Sequence, residues 1–281
     1  MRADFHPPDM KDDYTCEHRF DEYTQEDHAI WRELFNRQSK LLVGRACDEY
    51  LQSLPALGVT AEGIPDFRRM SDILEKATGW QIVTVPGLIP GDVFHGHLAN
   101  RRFPVTYWIR SREQIDYLAE PDIFHDLFGH VPMLMNPIFA DYMQEFGKGG
   151  VKAENLHALR FLERLYWYTV EFGLIKTPDG IKIYGSGIVS SKTESIYCLE
   201  STRPHRIGFD LKRVMRTEYR YDKLQESYFV IDNFEQLFDA TLPDFTPVYA
   251  ELRGQPDIEP YIILPEDKVF HAGSVAAEHG K

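Results

Sequence analysis

Helical hydrophobic periodicity covers most of this chain, and the β-rich runs between the helical patterns are few and short. Thr24–Asp27 is a capping-box-like start, and apolar residues recur behind it at helical spacing as far as Leu51. Because so few strands alternate with helices, a doubly wound parallel sheet is disfavoured, and we predict a mainly α (α+β) fold with a few short strands. Further helices are expected after Pro65 and near 121–128, 137–147, 155–172 and 233–240, and strands near 80–85, 105–109, 181–184 and 228–231.

The length of the chain, 281 residues, permits one domain or two. No Gly/Ser-rich or Pro-rich linker divides it, and its apolar fraction of 43% is enough for a sizeable core. We therefore predict a single compact helical domain over residues 23–265, with an N-terminal tail at 1–22 and a C-terminal tail at 266–281.

Charge and cysteine content narrow the choice of partners and compartment. The net charge is 31 − 44 = −13, which disfavours binding to nucleic acid or to an anionic membrane surface. Cys16, Cys47 and Cys198 are odd in number and far apart, which favours a reducing compartment. No signal-peptide-like or membrane-spanning apolar run is present, so we expect a cytoplasmic protein.

The segment Glu120–Pro132 carries two histidines that could bind a metal. His125 is expected inside a short helix and His130 just past its end, after a left-handed exit at Gly129. On a continuous α-helix, residues five apart differ by about 140° and cannot share a ligand, so a chain reversal at Gly129 would have to bring the two imidazoles together. The spacing differs from the four-residue spacing of H-E-x-x-H zinc proteases.

A carboxylate that could complete such a site is Glu171. It is expected in the last turn of a helix that exits at Gly173, where it opposes the helix dipole among aromatic neighbours. Such an acid needs a positive partner. A metal ion on His125 and His130 or an arginine such as Arg110 or Arg164 would serve, and local physics leaves both open.

Two histidines and one carboxylate describe two classes of metal site. Catalytic zinc uses this ligand set and keeps one coordination position open. Non-haem Fe(II) oxygenases use it as a facial triad and keep several coordination positions open. Ligand identity alone leaves both classes open.

Three longer motifs resemble those of the pterin-dependent aromatic amino acid hydroxylases, most closely the short bacterial form that acts on phenylalanine. They are Pro121–Pro132, Tyr166–Gly173 and Ile181–Ser191, in the family's order and spacing. The resemblance extends from about residue 20 to residue 250.

This resemblance implies Fe(II) bound by His125, His130 and Glu171, with O₂ and tetrahydrobiopterin or another tetrahydropterin as cosubstrates. It implies a monooxygenase that converts L-phenylalanine to L-tyrosine through an Fe(IV)=O intermediate. It also implies a monomer, because the chain has no room for a regulatory domain or an oligomerisation helix beside the catalytic domain.

The resemblance also assigns residues to the two organic ligands. Arg110 is expected to clamp the substrate carboxylate and Asp122 to orient that arginine. The other expected substrate-binding residues are Tyr117, Trp167, Ser190 and Val230. Those expected to bind the pterin are Gly87, Leu88, Ile89, Phe94 and Asp126.

Three alternatives stay open at this point. The same fold could act mainly on tryptophan, because the shape of the ring pocket depends on side chains that a sequence locates poorly. A zinc hydrolase and a catalytically silent metal-binding protein are the alternatives from other classes. His95 and His97 invite a second metal site, but no third ligand is evident.

Overall fold

Helices make up most of this computed structural model, which describes residues 7–116, 118 and 120–279. The α-helices are α1 (Gln25–Leu42), α2 (Asp48–Ala56), α3 (Phe67–Thr78), α4 (Gly91–Ala99), α5 (Pro137–Asn155), α6 (Leu159–Tyr166), α7 (Ser186–Val189), α8 (Lys192–Glu200), α9 (Leu211–Arg216), α10 (Phe234–Thr241), α11 (Thr246–Leu252) and α12 (Ala276–His279). The strands are β1 (Gln81–Val85), β2 (Arg102–Thr106), β3 (Leu174–Thr177), β4 (Gly180–Ile183), β5 (His205–Gly208), β6 (Ser227–Ile231) and β7 (Val269–His271). The predicted mainly helical fold with a few short strands is confirmed.

The predicted capping box opens α1. The Thr24 side chain accepts a hydrogen bond from the Asp27 amide, and the Asp27 carboxylate accepts one from the Thr24 amide. The face with Ile30, Trp31 and Leu34 is buried. The apolar pattern that continues to Leu51 belongs to two helices, because the chain turns at residues 43–47 before α2 begins.

Two sheets organise the rest of the chain. β1 and β2 form a parallel pair, and α4 is the crossover helix that connects them. The segment that follows β2 carries Arg110. The second sheet has the strand order β4-β3-β6-β5-β7, with β6 parallel to both of its neighbours. The segment that enters β3 carries Glu171, and the segment that leaves β4 carries Ser190, so this sheet brings those two residues near each other.

The segment after residue 265 packs on this sheet. β7 pairs with β5, Asp267 forms a buried ion pair with Arg213 at 3.0 Å, and Val275 is fully buried. The residues expected to be a C-terminal tail therefore have fixed contacts as far as the structure describes them.

Two segments predicted as α-helix contain π-helix instead. His125–His130 is π-helical and continues into a 3₁₀ segment, Val131–Met135, whereas α-helix was predicted for 121–128. The predicted helix at 155–172 consists of α6 and a π-helical segment, Trp167–Glu171. Hydrophobic periodicity indicates a helix in both places but does not specify which carbonyl each amide bonds.

In the part of the chain that the structure describes, none of the helices has the length and apolar character needed to cross a membrane.

Candidate metal centre

Both π-helical segments carry residues of one cluster of possible metal ligands. In a π-helix each amide bonds the carbonyl five residues earlier, so residues five apart come close to the same face. His125 and His130 are the first and last residues of one segment, and their Nε2 atoms lie 3.0 Å apart. A π-turn is a common feature of functional sites because it redirects side chains without ending the helix.

Glu171 ends the other π-segment and faces the two imidazoles. Its Oε1 lies 3.1 Å from His130 Nε2 and its Oε2 lies 3.7 Å from His125 Nε2. One ligand atom from each of the three residues lies within 4.8 Å of the others. The ligand set inferred from residue types is therefore assembled in space.

The predicted left-handed exit and chain reversal at Gly129 are wrong, whereas the helix does end just before Gly173 as predicted. Neither glycine has a positive φ, and Gly129 lies inside the π-segment. Both positions need glycine for close approach. A Cβ on Gly129 would lie 3.0 Å from the Ser186 carbonyl oxygen, and one on Gly173 would lie 2.2 Å from the Thr169 carbonyl oxygen.

A chain of hydrogen bonds orients His125. The hydroxyl of Ser190 donates to the Ser186 carbonyl at 2.7 Å, so it accepts from His125 Nδ1, which is 2.9 Å away. With its proton on Nδ1, His125 presents the lone pair of Nε2 to the cluster. Partners of this kind fix the tautomer and direction of metal-binding histidines.

The ionisation of the cluster also fits a cation. Burial lowers the pKa of His125 to about 4, so its imidazole is neutral at pH 7. Burial would raise the pKa of Glu171, but the charges of His130 and His125 and the hydrogen bonds to His130 and Ser186 lower it to about 2. A neutral imidazole and an ionised carboxylate are the forms that bind a divalent metal.

The two arginines considered as alternative partners of Glu171 are engaged elsewhere. Arg164 pairs with Asp257 at 2.8 Å, and Arg110 pairs with Asp122 at 2.8 Å. A metal ion on the three converging ligands is the partner that the geometry favours for Glu171.

Arg110 and Asp122 form a buried bidentate ion pair beside this cluster. Arg110 Nε and Nη2 donate to the two carboxylate oxygens of Asp122, each at 2.8 Å. Burial would raise the pKa of Asp122, but hydrogen bonds and the charge of Arg110 lower it below its usual value. Among the described residues, Arg110 Nη1 has one long contact, 3.4 Å, to the Ile115 carbonyl, and this edge of the guanidinium is able to bind an anion.

Trp167 begins the π-segment that ends at Glu171, and aromatic rings contact it on two sides. Its ring centroid lies 4.4 Å from that of Tyr219, with the planes 21° apart, and 4.7 Å from that of Phe172. Its Nε1 donates to Gln225 Oε1 at 2.8 Å. Val230 is buried in the central strand β6.

The residues expected to bind the pterin lie around the start of α4 and on the ligand segment. Gly87–Ile89 form the loop between β1 and α4, with Leu88 exposed, and Phe94 lies on α4 in edge contact with Tyr166. Asp126 is buried, and its Oδ2 accepts from the Thr106 amide at 2.8 Å. Burial raises the pKa of this carboxyl to about 7.

Two further expectations from the sequence concern the substrate contact of Tyr117 and a second metal site at His95 and His97. Tyr117, expected to contact the substrate, lies outside the described residues. Among the residues that the structure does describe, neither His95 nor His97 belongs to a group of three possible metal ligands. His97 Nε2 instead contacts the Asp13 carbonyl at 2.8 Å.

Sequence reasoning missed three residues that hold this site. Ser186 lies within donating distance of Glu171 Oε2 at 2.9 Å, and Gln225 and Glu194 connect Trp167 to helix α8. Ser186 could have been found from the sequence, because it precedes Ser190 by four residues, one helical turn, in the motif Ile181–Ser191. Gln225 and Glu194 gave no local signal.

Comparison with known families gives one match over most of the chain. The profile of the family described as biopterin-dependent aromatic amino acid hydroxylase matches residues 13–247. Phenylalanine-4-hydroxylase of Chromobacterium violaceum is 57% identical over 286 residues, covering 97% of this chain and 95% of that protein. Phenylalanine-4-hydroxylase of Ralstonia nicotianae is 59% identical over 265 residues, covering 94% of this chain and 85% of that protein.

Solved structures of the Chromobacterium violaceum enzyme have the same fold as this chain. Its structure with bound oxidized Fe(III) superposes with a TM-score of 0.90 at 60% identity, covering 92% of this chain and 94% of that one. Its structure with iron and phenylalanine bound superposes with a TM-score of 0.88 at 59% identity, with the same coverage.

Proposed function

Because this chain belongs to the biopterin-dependent aromatic amino acid hydroxylases, we propose that it is an iron- and tetrahydropterin-dependent phenylalanine 4-monooxygenase. It converts L-phenylalanine, O₂ and the tetrahydropterin to L-tyrosine and a hydroxypterin, so that one oxygen atom of O₂ enters the amino acid and the other enters the pterin. The observation that carries the proposal is the convergence of His125, His130 and Glu171 beside the Arg110–Asp122 pair.

His125, His130 and Glu171 would hold the metal. When bound, iron and tetrahydropterin supply the activation of O₂ and the transfer of oxygen to the aromatic ring, which no amino-acid side chain performs. The protein orients the ligands. Ser190 keeps the His125 proton on Nδ1, and Ser186 lies against the Glu171 carboxylate.

Arg110 would bind the carboxylate of the amino acid. Asp122 uses two donors of the guanidinium and holds it in one plane, so that the Nη1 edge remains for a second carboxylate. Because Ser190 already accepts from His125 and donates to Ser186, we assign it to the orientation of His125 rather than to a direct grip on the substrate.

The aromatic ring of the substrate would lie against Trp167 and Val230. The resemblance to the family also assigns Tyr117 to substrate binding. Phe94 and the loop with Gly87, Leu88 and Ile89 would receive the pterin. Asp126 would also help to bind the pterin.

Phenylalanine is favoured over tryptophan because the relatives with 57% and 59% identity are both named phenylalanine-4-hydroxylase. A zinc hydrolase is disfavoured by Asp126, the acid after the first histidine. Its carboxylate is turned to the Thr106 amide and is buried, so it does not offer a free base to a metal-bound water.

We also infer one catalytic domain, with its main part at residues 23–265 and the segment from Asp267 to Val275 packed on it, acting as a monomer in the cytoplasm. The resemblance of the three motifs to the short bacterial form of the family supports this inference.

The test is product formation by the purified protein. With Fe(II), a tetrahydropterin, O₂ and phenylalanine it should yield tyrosine, and omission of either iron or pterin should abolish the product. Tryptophan in competition should be hydroxylated more slowly. His125→Ala should lose iron and activity, whereas His157→Ala, which removes an exposed imidazole, should retain both. Hydrolysis with zinc in the absence of any hydroxylated amino acid would refute the proposal.

A further inference from the structure

Trp167 is the aromatic residue through which the fold can control the shape of the ring pocket. It is half-buried, and Tyr219 and Phe172 pack against it. Packing of aromatic rings restrains the separation and tilt of their planes but leaves rotation within the plane weakly restrained. The hydrogen bond from the indole Nε1 to Gln225 Oε1, at 2.8 Å, is directional and removes that freedom.

Both ends of the Gln225 side-chain amide have partners, which determines the direction of this amide. Its Nε2 donates to the Arg220 carbonyl at 3.0 Å and to the Lys223 carbonyl at 3.3 Å. Since two carbonyls require the NH₂ group on that side, Oε1 must point to Trp167. The side chain is only 4% exposed, so water does not replace these bonds without cost.

The same amide holds the loop at residues 219–224. Both carbonyls that receive Gln225 Nε2 belong to this loop, and the loop begins with Tyr219, the residue stacked on Trp167. Gln225 therefore restrains Trp167 twice, directly through the indole N–H and indirectly through the position of Tyr219.

Glu194 anchors the backbone of Gln225. Its Oε1 accepts from the Gln225 amide at 3.2 Å, and its Oε2 accepts from the hydroxyl of Tyr228 on β6. Glu194 lies on α8, four residues after Ser190, whose hydroxyl orients His125. The restraint on Trp167 and the restraint on a metal ligand thus originate from one short stretch of chain.

We propose that Gln225 is a positioning residue that fixes the orientation of the Trp167 indole within its ring plane and thereby the preference of the pocket for a phenyl ring over a larger indole. The proposal rests on the proposed function, because it assumes that Trp167 lines the substrate pocket. Gln225 acts through Trp167 and not by contact with the substrate.

Gln225→Met tests this role, because methionine has a similar volume but no oxygen to accept the indole proton. The KM for phenylalanine should rise about fivefold, the change expected for one lost buried hydrogen bond, while kcat changes less than twofold. The preference for phenylalanine over tryptophan should fall by about the same factor. Gln81→Met on strand β1, which removes an exposed side-chain hydrogen bond from Gln81 to Glu75, should match the wild type.

A double-mutant cycle with Trp167→Phe separates this role from support of the fold. Phenylalanine has no N–H, so Gln225→Met should change the KM less than twofold in that background. The near-ultraviolet circular dichroism of Trp167 is obtained by subtracting, in each background, the spectrum of the matching Trp167→Phe variant. This difference spectrum should change in Gln225→Met, while the iron content stays the same. If Gln225→Met does not fold, Gln225→Asn keeps the amide but withdraws it by one carbon, and should give the same changes.

Two results would overturn the proposal: an unchanged KM and substrate preference in both Gln225 variants, or equal effects of Gln225→Met with and without Trp167. The spectroscopic arm does not depend on activity. A protein that makes no tyrosine, but whose Trp167 signal changes with Gln225→Met, would refute the proposed function and support the positioning role.

Discussion

Arg110 and Asp122 form a bidentate ion pair that is buried next to the metal ligands, and the pair also holds the ligand segment. Asp122 Oδ1 accepts from Arg110 Nη2 at 2.8 Å and from the backbone amide of His125 at 3.1 Å. One carboxylate thus sets the position of the proposed substrate clamp and the start of the π-segment that carries two ligands.

Asp122→Ala should therefore damage stability, substrate binding and metal binding together. It leaves the Arg110 guanidinium buried without a counter-charge, which typically costs about 3–5 kcal/mol. We expect the free energy of unfolding in urea to fall by that amount and the KM for phenylalanine to rise more than tenfold. Asp116→Ala, which removes an exposed ion pair with Arg37, should change the free energy of unfolding by less than about 1 kcal/mol. Equal effects of the two variants would contradict the assigned role.

Ser190→Ala should weaken iron binding with little effect on the fold. The variant removes the acceptor that keeps the His125 proton on Nδ1, and loss of such a partner typically costs about 10–100-fold in metal affinity. Competition with a chelator, monitored by retained iron, measures the change. Ser274→Ala, at an exposed serine, is the control. Iron affinity within twofold of the wild type would show that the tautomer is fixed by another group.

Gly129→Ala should disturb the contact between the first π-segment and α7. The new Cβ would lie 3.0 Å from the Ser186 carbonyl oxygen, so the backbone must shift, at an expected cost of about 1–3 kcal/mol. Gly149→Ala on α5 is the control, and it should change the free energy of unfolding in the opposite direction. Its Cβ meets nothing within 4 Å, and the same substitution in a helix should stabilise by about 0.5–1 kcal/mol. Urea unfolding of both variants measures the difference, and a neutral Gly129→Ala would contradict the close approach.

Glu194 should make stability depend on pH between about 4.5 and 7. Burial raises the pKa of its carboxyl to about 7 in the folded protein, against 4.5 as the ordinary value. The folded state therefore holds the proton more tightly than the unfolded state, and stability falls as pH rises from 4.5 to 7.

Glu194→Gln keeps an oxygen for the Gln225 amide and cannot ionise. Its stability relative to the wild type should increase by about 2 kcal/mol between pH 5 and pH 8. Unfolding in urea at several pH values measures this difference, with the exposed Glu154→Gln as the control. A difference that stays constant with pH would show that Glu194 does not titrate in this range.

Prediction of the elements from the sequence succeeded where local signals are strong. The capping box at Thr24 marks the start of α1, and the strand runs ended by Pro86 and near Tyr184 appear as β1 and β4. The strands β3, β5 and β7 were not predicted, because each is only three or four residues long and is defined by its partner strands rather than by its own alternation.

The sequence by itself determined which residues could bind a metal, and its family motifs indicated the chemistry. Two histidines and a glutamate in motifs of one family predict the ligand set, and the resemblance to that family assigns Arg110 to the substrate carboxylate. These predictions depend on side-chain type and spacing, which a sequence contains in full.

The tertiary structure decided how those groups meet. The sequence predicted a reversal at Gly129, yet the imidazoles meet because the helix changes its hydrogen-bond register from four residues to five. Which groups are buried together determines that register, and it also determines the pairing of Arg110 with Asp122 and the contact of Gln225 with Trp167. Burial makes an unpaired polar group costly, so partners from distant parts of the chain are selected only when the chain has folded.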